Sequence, residues 1–478
     1  MRARPHHCPM GRVALALALA LAVCGAAVGS ASAVVTRNTR AEATGVADDE
    51  VHVVALVADL DGLRSKGIPL PPKLTTANSL KRWQAAADAA GPIHGRKIGV
   101  TAAVFDATDV TTYDKACAQA TQDASPFVVV NGTGFRQSSV GCITVDHDTP
   151  FLYGDAAYAA LQEASGTNLV SLGVPAEVSG TTTADIARSE GLVPKSARIG
   201  ILTSNDPAAA AAGDALAKRL GSRGYDVAQT VAINTLQADV SAINRESTAA
   251  VATFETAGVD TVFSLLQMAA SQGFFQEVRK TGADYSMFLV DVAASVCTQF
   301  GASRIPAEAA DIPCVTTWDT RALPTADGIK ADTPFEAECR TAFDAAFDQR
   351  SQPGVPAGDV TVNGTTYTED LAPNECTMMA LLASALRKAG KSPTWDKVHR
   401  SLLKTTDAPA AYMSDGRGGF GPAKPYFARS VHLMTLRIAN ASTPPDANGL
   451  FNGCPAPVNC WVPQAVDGQE WFPVKASR

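Results

Sequence analysis

The chain has 478 residues, of which 46% are apolar, 18% charged and only 6% aromatic, a balance that excludes a disordered chain, a collagen-like repeat and a coiled coil. Its formal charge of −7 leaves no basic face to displace counterions from phosphates, so nucleic acid is not an expected partner. Length predicts two or three domains with ample material for real cores.

Residues 1–33 read as an export signal. Arg2, Arg4 and Arg12 make a cationic start, Val13 to Val23 is an unbroken apolar run, and Ala31-Ser32-Ala33 is a small-x-small cleavage site. The run is well short of the ~20 residues needed to span a bilayer. Leu21-Ala22-Val23-Cys24 approximates a bacterial lipobox but has Val23 where Gly, Ala or Ser is usual. Cleavage after Ala33 is therefore the expectation, with a lipid anchor on Cys24 as the alternative. Residues 34–50 read as a flexible leader.

From Val51 a strand–helix rhythm begins. Val51 to Val57 is a β-branched run that ends in a loop at Asp59-Leu60-Asp61-Gly62, and Pro69, Pro71 and Pro72 exclude helix up to Thr76. A helix over Leu80 to Ala90 puts Leu80, Trp83, Ala87 and Ala90 on one stripe and stops at Gly91-Pro92. Strands follow at Lys97 to Phe105 and Phe127 to Val130, with a helix at Thr112 to Asp123 between them. Helices are expected at Asp155 to Ala164 and Thr181 to Glu190, the latter capped by its threonines, with a short apolar run at Leu169 to Val174. A second block alternates strands at Arg198, Val227, Thr261 and Met287 with helices from Ala208, Val240 and Ala269. This alternation predicts an α/β fold of parallel sheets covered on both faces. Ligands are expected beyond the carboxyl ends of the strands. After Asp291 the pattern loosens. Helices are expected at Thr333 to Gln349, Pro373 to Ala389 and Thr394 to Thr405, a Gly/Pro/Asn-rich excursion at 351–373, and a late strand at Val431 to Ile438.

Beyond the signal lie Cys117, Cys142, Cys297, Cys314, Cys339, Cys376, Cys454 and Cys460. An even number in an oxidising compartment fits a disulfide framework, although eight cysteines allow 105 connectivities. Pairing neighbours gives 117–142, 297–314, 339–376 and 454–460. No C-x-x-C occurs, and no metal is implied.

Several stretches together make the chain resemble a type I periplasmic binding protein, of the branched-chain amino-acid-binding type that serves ABC importers. They are Trp83 to Gly91, then Ile93-His94-Gly95-Arg96-Lys97-Ile98, and Phe105-Asp106-Ala107-Thr108-Asp109. Further on come Ala197 to Leu202, Gly224-Tyr225-Asp226-Val227, and Gly258 to Phe263. Cys117 and Cys142 fall where some members carry a disulfide. The resemblance implies two lobes, each a mostly parallel sheet flanked by helices, joined by three hinge crossovers. Lobe one would be about 51–175 plus 297–408, lobe two about 176–296 plus 409–440, with 441–478 an extra Cys-containing tail. It also implies a monomer that captures a small polar ligand such as an amino acid or amide, hands it to a membrane permease, and needs no cofactor. The family's usual Pro-Leu-Thr-Gly after the first strand is replaced here by Asp59 to Ser65. Its aromatic-Gly pair in lobe two is replaced by Thr203 to Pro207. These departures, with the tail, leave a ligand sensor or envelope interaction protein on the same scaffold as the alternative.

A binder of this kind needs backbone donors, short hydroxyls, an acid for an ammonium group and an aromatic wall. Thr133, Gly134 and Phe135 supply loop donors and a hydroxyl, or form an ordinary Gly turn. Phe151 and Tyr153 are candidates for the wall, or pack under the next helix. Asn205 and Asp206 end a strand and also suit helix caps. Gln267 and Asp291 end later strands, Asp291 being suited to a positive ligand group. Catalytic motifs are poor. Ser401-Leu402-Leu403-Lys404 and Lys280-Thr281-Gly282 occur in the wrong order for a penicillin-recognising enzyme, with no S-D-N between. No catalytic residue is expected.

Overall fold

The computed structural model describes residues 44–67, 70, 73–235, 240–292, 295–302, 305–306, 311–318, 332–348, 360–362, 365–367, 374–421, 424–440, 442–447, 449–454 and 457–475. The export signal, Cys24 and most of the 34–50 leader lie outside them, as does most of the 351–373 excursion. The described end of the leader is not loose. Val46 bridges Val51, and the His52 N–H donates to Gly45 O at 2.8 Å.

Five parallel strands form the first sheet: β1 (Glu50–Ala58), β2 (Lys97–Phe105), β3 (Val128–Asn131), β4 (Phe151–Tyr153) and β5 (Leu169–Ser171), in the order β2-β1-β3-β4-β5. Alternation in β1 sends Val53, Ala55 and Val57 to one face and Val54 and Leu56 to the other, so both faces are buried. α1 (Leu60–Ser65) occupies what reads as a loop after β1. α2 (Thr76–Ala90) lays Trp83 and Ala85 to Ala87 on the first face, and the Thr75 hydroxyl caps it by accepting from the Asn78 N–H at 3.1 Å. α3 (Thr111–Ala118), α4 (Gln137–Gly141) and α5 (Ala159–Ser165) cover the second face.

The second sheet holds β6 (Arg198–Ser204), β7 (Asp226–Ile233), β8 (Thr261–Ser264), β9 (Ser286–Asp291) and β10 (Pro313–Thr316), all parallel. α6 (Ala176–Ser189) leads into β6, and α7 (Pro207–Ser222), α8 (Val240–Thr256), α9 (Met268–Thr281) and α10 (Gln299–Ala302) run between the strands in sequence. α11 (Pro334–Phe347), the hairpin β11 (Val360–Val362) and β12 (Thr365–Tyr367), α12 (Asn374–Ala389) and α13 (Trp395–Leu403) follow. α11 and α12 pack on α2 of the first lobe. A small hairpin, β13 (Ala408–Pro409) with β14 (Arg417–Gly418), then leads to β15 (Ser430–Arg437), which runs antiparallel beside β10.

Three placements differ from the sequence reading. β10, which falls within the 297–408 stretch expected in lobe one, pairs with β9 in the second sheet. The tail is not an appendage: β16 (Cys460–Pro463) and β17 (Trp471–Pro473) pair with β15 and extend the second sheet. α6 starts at Ala176 rather than Thr181, with no side-chain cap, because Val178, Ser179, Gly180 and Thr183 are buried. A Cβ on Gly180 would lie 2.2 Å from Ala212 O of α7, so this glycine permits the close helix contact. The disulfides are Cys117–Cys142, Cys297–Cys314, Cys339–Cys376 and Cys454–Cys460, the neighbour pairing.

Candidate functional site: the interlobe cavity

A cavity of about 310 Å³ opens at the carboxyl ends of β1 and β3, lined from both lobes. The first lobe contributes Leu56, Thr133 and the start of α12; Thr298 and Trp318, which follow β9 and β10, come from the other side. Trp83 and Tyr412 complete an apolar wall with Trp318.

Backbone contacts shape the floor. The Gly154 N–H donates to Asn131 O at 2.8 Å, and a Cβ on Gly154 would lie 1.9 Å from Gly132 O. Asn374 donates from Nδ2 to Gly132 O at 3.0 Å, and a Cβ on Gly132 would lie 2.8 Å from Asn374 Oδ1. Both loops can close this tightly only because glycine stands at each position. Asn131 donates from Nδ2 to Leu56 O at 2.9 Å, while its Oδ1 is buried without a hydrogen-bond partner among the described residues.

Among the described residues, two charged side chains line the cavity, Arg82 and Glu375, and they form an ion pair. Arg82 Nη2 lies 2.9 Å from Glu375 Oε1 and 3.1 Å from Oε2, and the side chains are only 12% and 9% exposed. Tyr412 is held from behind by α11. Its backbone N–H donates to Glu336 Oε1 at 2.9 Å, its hydroxyl donates to Asp332 Oδ1 at 2.9 Å, and the Arg340 guanidinium donates to the same hydroxyl. Glu336 is free to face Tyr412 because its other oxygen closes a capping box with Thr333. Tyr412, Ser414 and Asp415 adopt φ of 53°, 50° and 56°. Left-handed backbone at non-glycine residues costs of order 1–3 kcal/mol each and persists only where the surroundings enforce it.

Two carboxylates, Asp291 and Asp206, lie close enough to a third, Asp155, to influence it. Asp155 follows β4 and accepts from the Gly134 N–H at 3.0 Å; its other oxygen is buried with no hydrogen bond inside normal geometry among the described residues. Burial holds this carboxyl well above the usual range, and Asp291 and Asp206 push it the same way. Asp206 caps α7 by accepting from the Ala208 N–H at 3.1 Å, and burial raises it too, against backbone hydrogen bonds that lower it. Asp291 is committed to its own loop, accepting from the Ser295 and Cys297 N–H groups at 3.0 Å each. Arg136 spans the lobes, its guanidinium 5.1 Å from the Tyr113 ring centre and its Nη2 3.5 Å from Thr235 O.

Of the residues singled out from sequence, Thr133 lines the cavity. Gly134 spends its N–H on Asp155. Phe135, Phe151 and Tyr153 are corrections: their rings pack with Phe105 and Tyr113 in the first-lobe core, and the Tyr153 hydroxyl donates to Phe135 O at 2.9 Å. Alternation in a three-residue strand does not free them, because both faces of that sheet are covered. Asn205 ties the ends of β6 and β7 together, through Asn234 and the Thr235 N–H. Asp206 caps its helix, and Gln267 begins α9 away from the cavity lining. The sequence reading missed Arg82, Glu375, Trp318 and Tyr412. Arg82 and Glu375 are 293 positions apart, and no local pattern joins them. Trp83 was visible as a helix-stripe residue but read as packing.

Two sheets joined by three chain passages, with a cavity at the carboxyl ends of their strands, define a two-lobed α/β binding protein. The sequence model of the periplasmic binding protein family matches residues 74–436, and the chain belongs to that family. Among solved structures, it is similar to the solute-binding protein of an ABC transporter from R. palustris in complex with 4-hydroxybenzoate, with 12% identity, 89% of this chain and 97% of that chain covered, and a TM-score of 0.60. It is also similar to a leucine-binding protein LivK from Thermotoga maritima, with 12% identity, 81% and 95% covered, and a TM-score of 0.58. An ABC transporter substrate-binding protein from Sphaerobacter thermophilus gives 14% identity, 89% and 98% covered, and a TM-score of 0.59. At these identities the likeness is one of fold. Comparison with curated proteins finds no match.

Proposed function

We propose that this protein is an exported substrate-binding component of an ABC importer. It captures one small polar molecule, such as an amino acid, an amide or a related compound, by closing two lobes and delivers it to a membrane permease. The observation that carries the reading is a cavity whose wall is completed by Trp318 and Thr298 from one side and Thr133 and Glu375 from the other. Only the closed arrangement makes both sets of contacts, so a ligand shifts the population toward it. In this reading lobe one takes β1 to β5 with α11 to α13, and lobe two takes β6 to β10 with β15 to β17. Native mass spectrometry of freshly purified protein is expected to show one retained small molecule per chain, and adding that molecule after dialysis should raise the melting temperature. A protein that carries nothing, and whose melting temperature is indifferent to panels of amino acids, amides and aromatic compounds, would refute the reading. Co-purification of a signalling protein in place of a permease would assign the same scaffold to sensing.

A further inference from the structure

We propose that Cys117, Cys142 and His147 form a metal site beside the first sheet, one that takes Zn²⁺ after a dithiol has opened the Cys117–Cys142 disulfide. None of the three lines the interlobe cavity, so the site stands apart from the solute-binding reading. The two sulfurs and a ring nitrogen of His147 lie within 4.8 Å of one another. No sequence spacing signals this, because 25 positions separate the cysteines. The backbone brings the set together. Cys142 to Asp146 forms a π-helical turn, closed by the His147 N–H donating to Cys142 O at 3.1 Å. That closure returns position i+5 to the side of position i, whereas an α-helix would turn it about 140° away. A second π-helical turn, Gln119–Asp123, follows Cys117 and carries Gln122, which donates from Nε2 to His147 Nε2 at 3.3 Å and holds the ring. Such turns are rare and recur at functional sites.

Access and chemistry agree. Cys142 is half-buried, whereas the other seven disulfide cysteines are buried, so a thiol reagent meets this bond first. A thiolate of the dithiol attacks Cys142 Sγ and releases Cys117; the second thiol then closes the reagent's own disulfide and releases Cys142. Two electrons pass to the protein, the dithiol is oxidised, and its two protons go to the cysteines. Zn²⁺ binds both as thiolates and displaces those protons into solvent. Two thiolates and one imidazole suit Zn²⁺, with water in the fourth tetrahedral position. Zn–S bonds of about 2.3 Å and a Zn–N bond of about 2.0 Å set the ligand atoms roughly 3.5–3.8 Å apart, so the sulfurs part and the ring moves in by roughly 1 Å.

The test starts from the mature chain with all four disulfides formed. Limited dithiothreitol followed by alkylation and peptide mapping should label Cys117 and Cys142 first. After anaerobic removal of the reagent, the reduced chain should bind one Co²⁺ with the intense visible bands of a tetrahedral thiolate site, and Zn²⁺ should displace it. The oxidised chain should show no such bands. His147→Ala, checked for folding by circular dichroism, should weaken Zn²⁺ binding to the reduced chain at least about tenfold. Should reduction alone unfold the chain, Zn²⁺ present during reduction should preserve the wild-type fold and fail to preserve that of His147→Ala. The inference is overturned by first labelling of another cysteine pair, by an octahedral Co²⁺ spectrum, by Zn²⁺ binding indifferent to His147→Ala, or by a reduced chain that unfolds with and without Zn²⁺.

Discussion

Asp155 shows how burial sets the titration of one side chain. Its carboxyl is 3% exposed and receives one backbone hydrogen bond, from Gly134. Burial raises its pKa well above the ordinary carboxylate range, reinforced by Asp291 and Asp206. The sign of the linkage follows. Between the unfolded and folded pKa values the folded state holds a proton that the unfolded chain has lost, so stability is full below the unfolded value and drains away as pH rises toward the folded one. Asp155→Asn keeps the shape, can still accept from Gly134, and does not titrate. It is expected to raise the melting temperature at pH 8 and to have little effect at pH 3, where both states of the wild type are protonated. A melting temperature that falls equally at both values would mean that the acid is needed for packing rather than being a buried titrating group. Nothing in the sequence marks Asp155 as special. It stands in Gly154-Asp155-Ala156-Ala157, which reads as the start of a helix, and only the fold buries it. Asp291 stands out in the sequence as a strand-end acid, yet the structure shows both of its oxygens serving the loop that follows.

At the level of elements, the strand–helix alternation was readable because most units are long, periodic and bounded by turn residues. β2 coincides with its sequence-predicted span, and α7, α8 and α9 begin and end within a few residues of theirs. Two short units, β4 and α1, were not readable. β4 is three residues long and gives no period to detect, and α1 looks like a loop because Asp59-Leu60-Asp61-Gly62 has turn composition. α6 was misjudged at its start because burial against α7 overrides the modest helix propensity of threonine and glycine. The pairing of cysteines followed from sequence proximity, and its most consequential case is Cys339–Cys376, which ties α11 to α12 across a sequence separation of 37. Chain-entropy arguments give about 4 kcal/mol for a loop of this length and about 2.4 kcal/mol for the short loop closed by Cys454–Cys460. Replacing Cys339 and Cys376 together by serine is therefore expected to cost the greater stability in urea unfolding. It should also loosen the α11 clamp on Tyr412. Equal losses for the two bonds would show that native-state strain, not loop closure, governs them.

The whole molecule turns on how three passages and contacts at the rim, among them one from Arg136, hold the lobes. The first and third passages run side by side, with the Phe427 N–H donating to Ser171 O at 3.1 Å and the Ala428 N–H donating to Leu172 O at 2.8 Å. The second and third meet where Trp318 bridges Met413. These pairings sit on the hinge side, next to the strained Tyr412 turn, and survive any rotation that leaves the straps parallel. The bond from Arg136 to Thr235 O differs, because it joins loops at the ends of different sheets and is lost as soon as the lobes part. A single such bond contributes about 1 kcal/mol, equivalent to about fivefold in the closed-to-open ratio. Arg136 is not among the residues that line the cavity, so its removal acts on the equilibrium and not on ligand contacts. In small-angle scattering of dialysed protein, Arg136→Ala should therefore show a larger radius of gyration than the wild type, with unchanged circular dichroism. Saturating the variant with the molecule retained by the wild type should return it to the compact value, since the cavity lining at Trp83, Trp318 and Glu375 is unaltered. An unchanged radius in the ligand-free variant would remove Arg136 as a latch.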